Sequence, residues 1–217
     1  MATTDTGLGR FQSLWQRNLI DGAVDDSPDI YQRLLQYYGE PHRRYHTMDH
    51  IEHCLGQFDQ CRSLARDADA LELAIWFHDI ILVCGRRDNE ARSAELYLEL
   101  SDGVHPDSTR QRVRRLIMAT LHDGSSLDDA DSRLMVDIDL SSFGLPWEDF
   151  LRDSLNLRAE NPHLSDSDYQ FNQTGFQRGL LARPRFFLSD FFHERLETQA
   201  RANLARYFEY LQNSDQA

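Results

Sequence analysis

Apolar residues recur at helical spacing along most of the chain. Phe11, Leu14, Trp15 and Leu19 mark one stripe, and Ile30, Leu34, Leu35 and Tyr38 a second that stops at Gly39-Glu40-Pro41. Ser27-Pro28 opens the second stripe as an N-cap followed by proline at the first helical position. A third helix is expected to start near Thr47 and to carry Ile51, Leu55 and Phe58. Leu71 to Val83 is almost uniformly apolar and reads as a central buried helix, interrupted by His78-Asp79. Asn89 to Leu100 is amphipathic again. Val113, Leu116, Ile117, Thr120 and Leu121 mark the next face, which ends at His122-Asp123-Gly124 with Gly124 as the helix stop. Leu134 to Leu140, Trp147 to Leu157 and a last helix through Leu196, Ala200, Leu204, Tyr207, Phe208 and Leu211 complete the pattern. Glu160 to Gln170 reads as a loop. With no strand hairpin and no internal repeat, the expected fold is all-α, a single-domain helical bundle over residues 1–217.

Composition narrows the partners. The formal net charge of −13 repels polyanions, so long nucleic acids are not expected partners. A local basic pocket for a small phosphate ester stays compatible with it. All 23 basic residues are arginine, which excludes a lysine Schiff base and a P-loop lysine. Cys54, Cys61 and Cys84 fit neither a disulfide framework nor a Cys-x-x-Cys pair. The N-terminal residues lack a basic-then-apolar signal, and no apolar run reaches the ~20 residues of a membrane span. The expectation is a reduced, cytoplasmic protein with no membrane partner, open to self-association as a homo-oligomer.

The chemistry concentrates in Tyr45-His46-Thr47-Met48-Asp49-His50-Ile51-Glu52-His53. Residues of a helix step by about 100°, so His46, His50 and His53 would share one face. Imidazoles and carboxylates are the usual ligands of a borderline divalent metal. Asp79 sits between Phe77-His78 and Ile80-Ile81, and a charge in such a run needs an ion pair, a cap or a metal.

The order His50, His78-Asp79, Asp139 resembles the HD superfamily of metal-dependent phosphohydrolases. Tyr45-His46-Thr47-x-x-His50-Ile51 is similar to an element of the distantly related cyclic-nucleotide phosphodiesterases. Arg43-Arg44-Tyr45-His46, Trp76-Phe77-His78-Asp79, Asn89-Glu90-Ala91-Arg92-Ser93-Ala94 and Asp137-Ile138-Asp139-Leu140 resemble a bacterial branch of that superfamily. The likeness covers about 41–144, with the C-terminal helices packed on that core. It implies metal ligation by His50, His78, Asp79 and Asp139, with Asp137 as the competitor for the last place and otherwise a cap or an acceptor that orients an imidazole.

The resemblance further implies that His46 protonates a leaving oxygen and that Glu90 orients or deprotonates the attacking water. Arg43, Arg44, His122 and, more weakly, Arg158 are the candidate phosphate contacts; Leu121 stands where relatives often carry a basic residue. His53 reads as a core or supporting histidine. The cofactor would be a divalent transition metal (Mn, Fe, Co, Ni or Zn), with Mg as a further option. The implied reaction is hydrolysis of a phosphoester in a small phosphorylated substrate such as a nucleotide, by water activated on the metal. The alternatives are an HD-fold di-iron oxygenase, drawing extra ligands from His53 and His122, and a non-catalytic nucleotide-binding sensor.

Overall fold

The structure is a computed structural model that describes residues 3–122, 127 and 129–214. It is all-helical, with no strand among the described residues. In chain order the helices are α1 Thr3–Arg17, α2 Ser27–Tyr38, α3 Met48–Cys61, α4 Ala68–Phe77, α5 Asn89–Leu100, α6 Asp107–Ala119, α7 Ala130–Asp139, α8 Trp147–Ala159, α9 Asp166–Ala182 and α10 Asp190–Ser214. Short 3-10 turns cover Arg62–Leu64 and Leu140–Gly144. Among the described residues no helix is long and apolar enough to cross a membrane. The chain divides into two compact units, Met1–Met135 and Val136–Ala217.

The first unit is built around α4, in which every residue from Ala70 to Phe77 is buried. It packs against α1, α3, α5 and α6. Phe11 and Trp15 of α1, Tyr31 of α2, and Trp76 and Phe77 of α4 form one aromatic cluster. Full burial of such side chains stabilises the fold by roughly 1.5–3 kcal/mol each. The polar exception on α4 is Glu72. Its carboxylate accepts from Arg10 Nε at 2.7 Å and Arg62 Nη1 at 2.9 Å, with Arg17 Nη2 at 3.6 Å. Those three cations offset the desolvation that an isolated buried carboxylate would suffer. Cys54 and Cys61 are buried in α3, and Cys84 is half-buried in the loop before α5.

Two expectations about this unit need correcting. The apolar run does not continue as a helix to Val83; α4 ends at Phe77. Beyond it, side chains from elsewhere take over the backbone groups that a helix would pair. Tyr38 Oη donates to Trp76 O at 2.9 Å, Arg43 donates to Asp79 O and Ile80 O, and Ser93 Oγ accepts from Ile81 N at 3.1 Å. Asn89 brackets Val83, accepting from its N–H at 3.0 Å and donating to its carbonyl at 3.2 Å. The Asn89-x-x-x-Ser93 spacing thus anchors the loop that leaves His78-Asp79.

The second correction concerns His46. Helix α3 starts at Met48, with Thr47 Oγ1 accepting from Asp49 N as the N-cap. His46 therefore precedes the helix and does not share a continuous helical face with His50 and His53. In α2 the N-cap is Asp26, one residue before the expected Ser27. Helix α6 ends at Ala119, and the expected stop at Gly124 lies outside the described residues.

The second unit packs α10 against the Leu140–Gly144 turn and against α8 and α9. A Cβ on Gly144 would lie 2.6 Å from Leu196 Cβ, so only glycine admits this approach. Asn203 Nδ2 donates to Phe143 O and Leu145 O, both at 2.8 Å. Helix α9 begins inside the expected Glu160–Gln170 loop: Ser165 Oγ caps it by accepting from Asp168 N at 3.1 Å. Its buried residues are Tyr169, Gln177 and Leu180, too sparse to give the chain a readable stripe there.

Candidate metal site

Helix α3 and the end of α4 bring the first unit's ligand candidates together. His50 lies in the first turn of α3, fixed by the Thr47 cap, and His78 is the C-cap immediately after α4. Among the described residues His50, His78 and Asp79 belong to a group that could hold a metal ion, each offering one ligand atom within 4.8 Å of the others. His78 Nδ1 lies 2.9 Å from Ile75 O. A carbonyl only accepts, so Nδ1 carries the proton and Nε2 presents its lone pair. His78 Nε2 lies 2.9 Å from Asp79 Oδ2 and 3.3 Å from His50 Nε2, and His50 Nε2 lies 3.4 Å from the same carboxylate oxygen.

These spacings suit a cation. With metal–ligand bonds of about 2.1 Å, neighbouring ligand atoms stand about 3.0 Å apart in an octahedron and about 3.4 Å apart in a tetrahedron. Burial pushes the Asp79 carboxyl up, but the imidazoles of His78, His46 and His50 outweigh it and hold Asp79 well below the usual carboxylate range.

His46 occupies the rim. Its Nε2 lies 3.9 Å from Asp79 Oδ2, and its side chain keeps 21% of its surface exposed, whereas His50 and His78 are buried. The Tyr45 ring packs against both His46 and His50, with centroids 4.9 Å apart in each case. His53, one turn beyond His50 on α3, is half-buried, and desolvation with the nearby His50 lowers it to about 4. Cys54 Sγ lies 3.7 Å from His50 Nε2. Glu90 stands half-buried in the first turn of α5.

No family model, curated protein or solved structure matches the chain. A helical chain with a buried His/Asp group is compatible with an HD-type fold, and the reading rests on the residues themselves.

Two of the three arginine candidates, Arg43 and Arg158, are placed differently from a phosphate clamp. Arg43 is buried and donates from Nε to Glu40 Oε2, from Nη1 to His46 O and Asp79 O, and from Nη2 to Ile80 O. Its fork is turned onto the backbone. Arg158 lies in the second unit and donates to Asn161 O, Leu164 O and Asp166, with its guanidinium over Tyr169, so it holds the turn between α8 and α9. Arg44 is exposed, with Nη1 donating to Pro41 O. His122 is half-buried with a left-handed φ of 50° just beyond α6.

In the second unit the two aspartates of Asp-x-Asp separate clearly. Asp137 is buried and accepts from Leu188 N and Ser189 N, both at 2.7 Å, and from Ser189 Oγ at 2.6 Å. Burial pushes its carboxyl up to about 6 against these donors. Asp139 is the half-buried last residue of α7. Sequence reasoning missed Tyr38, whose hydroxyl holds the Trp76 carbonyl, and the Ile75 carbonyl that sets the His78 tautomer. The i−3 spacing of Ile75 from His78 at a helix end was the available signal.

Proposed function

We propose that this protein hydrolyses a phosphoester bond in a small substrate, a nucleotide or a similar phosphate ester, with a divalent ion held by His50, His78, Asp79 and, as fourth ligand, Asp139. The observation that carries the reading is the convergence of His50 Nε2, His78 Nε2 and Asp79 Oδ2, beside a partly exposed His46. Asp137 stays outside the ligand set because three donors already occupy its carboxylate.

When bound, a divalent ion lowers the pKa of water toward neutrality and offsets charge on the phosphoryl oxygens. The chain's own residues do the rest. The Ile75 carbonyl keeps the His78 proton on Nδ1. His46, an imidazole at the rim, delivers a proton to the departing oxygen, the general-acid task that a positioned histidine most often performs. Glu90 orients the attacking water, and Arg44 and His122 are the proposed phosphate contacts.

Metal analysis of the purified protein, paired with a phosphate-release screen over nucleotides in Mn²⁺, tests the proposal. The expected result is near-stoichiometric metal and turnover that both vanish in His78→Ala and Asp79→Ala. Full activity in either variant rules the mechanism out. Iron uptake with oxygen consumption and no phosphate release would instead identify an oxygenase.

A further inference from the structure

We infer that Arg43 is a positioning residue that holds the His46 loop and the His78-Asp79 turn in register; the inference rests on the proposed metal reading. Its guanidinium is buried where two segments meet, and its N–H groups find four acceptors: Glu40 Oε2 at 3.1 Å, His46 O at 3.0 Å, Asp79 O at 2.8 Å and Ile80 O at 2.8 Å. Its carbon Cζ lies 5.2 Å from the centre of the Tyr38 ring, whose hydroxyl in turn holds the Trp76 carbonyl. A buried cation is tolerated when such bonds replace its hydration.

The acceptors are what give this arrangement meaning. One nitrogen, Nη1, bridges the carbonyl of the rim histidine and the carbonyl of a metal ligand. Those residues lie on separate segments of the chain, the loop before α3 and the turn after α4. The neighbouring Nη2 holds the Ile80 carbonyl, so the two peptide groups that flank Ile80 are tied to the same fork. Arg43 thus sets where the Asp79 backbone sits and how far it stands from the His46 loop. His46 Nε2 and Asp79 Oδ2 stand 3.9 Å apart on the two backbones so tied. A lysine would preserve the charge but offer one nitrogen, which cannot span the four acceptors.

The test uses the full-length protein, Co²⁺ alone as probe, and visible absorption as the reading. Arg43→Lys is compared with Asp131→Asn. Asp131 is a buried residue of the first unit that accepts from Arg66 N, Asp67 N and Arg112, and serves as a control for general destabilisation. We expect R43K to weaken Co²⁺ binding by about 10–100-fold and to shift its absorption bands, the usual range for disturbing a group behind a ligand. We expect D131N to leave both unchanged at equal loss of thermal stability. Wild-type affinity and spectrum in R43K, or equal weakening in the two variants, overturns the inference. If R43K does not fold, Glu40→Ala decides, since it removes the acceptor of Nε and leaves the three backbone carbonyls in place: weakening of about threefold supports the tie and unchanged binding overturns it. A wild-type protein that takes up no Co²⁺ fails at the first titration, and there the metal reading itself falls.

Discussion

Single side chains divide into those that would touch the ion and those that hold the frame. His46→Ala should keep the metal, measured by elemental analysis, while turnover falls by about 10²–10⁴-fold, the usual worth of a general acid. Metal loss in that variant would move His46 into the ligand set. Asp137→Ala and Asp139→Ala should part company. The first leaves the partly buried Leu188 and Ser189 N–H groups without their acceptor and should cost roughly 1–3 kcal/mol in a urea melt with metal content unchanged. The second should lose metal at near-native stability. The residue types of the site were legible in the sequence, because imidazoles and carboxylates in an ordered series have few common uses. The role of Arg43 was not legible. An arginine ahead of a histidine motif reads the same whether its fork meets a phosphate or three backbone carbonyls.

At the scale of elements, the helix ends decide where the chemistry sits. Thr47→Ala removes the cap of α3, and a loss of about 1 kcal/mol in thermal or denaturant melts is expected. His50 lies within that first turn, so weaker metal retention should accompany it. The start of α3 near Thr47 and the span of α5 were readable, since a capping residue and an amphipathic stripe are local signals. The end of α4 was not. Leu71 to Val83 stays apolar past Phe77, but Tyr38 takes the Trp76 carbonyl at the helix end, and Arg43, Asn89 and Ser93 claim the backbone groups that follow from distant positions. Helix α9 was hidden for the opposite reason: its few buried residues leave no stripe, and only the Ser165-x-x-Asp168 cap marks its start.

For the whole molecule, acid is the disruptive direction. His105 is buried against Trp15, with ring centroids 4.1 Å apart, and desolvation lowers it to about 4. Its folded pKa lies below the unfolded value near ~6.5, so between those limits the unfolded chain binds more protons and stability falls as pH falls. Glu197 continues the trend lower down. Burial raises it, but the Phe186 and Phe187 N–H groups, Arg201 and His193 hold it at about 2, so its contribution is fully present above ~4.5 and is lost as pH falls from there toward about 2. Asp137, raised to about 6, opposes this trend as pH falls toward its ordinary value, while His53, lowered to about 4, adds to it. Urea melts from pH 7 to 4 should show a net decline in stability, and His105→Gln should flatten the slope by up to about 1.4 kcal/mol per pH unit. An unchanged slope would remove His105 from the account. Alkali has far less to act on. The cations around the buried Glu72 are all guanidinium groups, and their bonds to Glu72, Asp59 and Asp69 hold Arg10 and Arg17 above their already high ordinary value. With no ammonium side chain to discharge near ~10.4, that cluster should remain intact in carbonate buffers that dismantle lysine-based ion pairs.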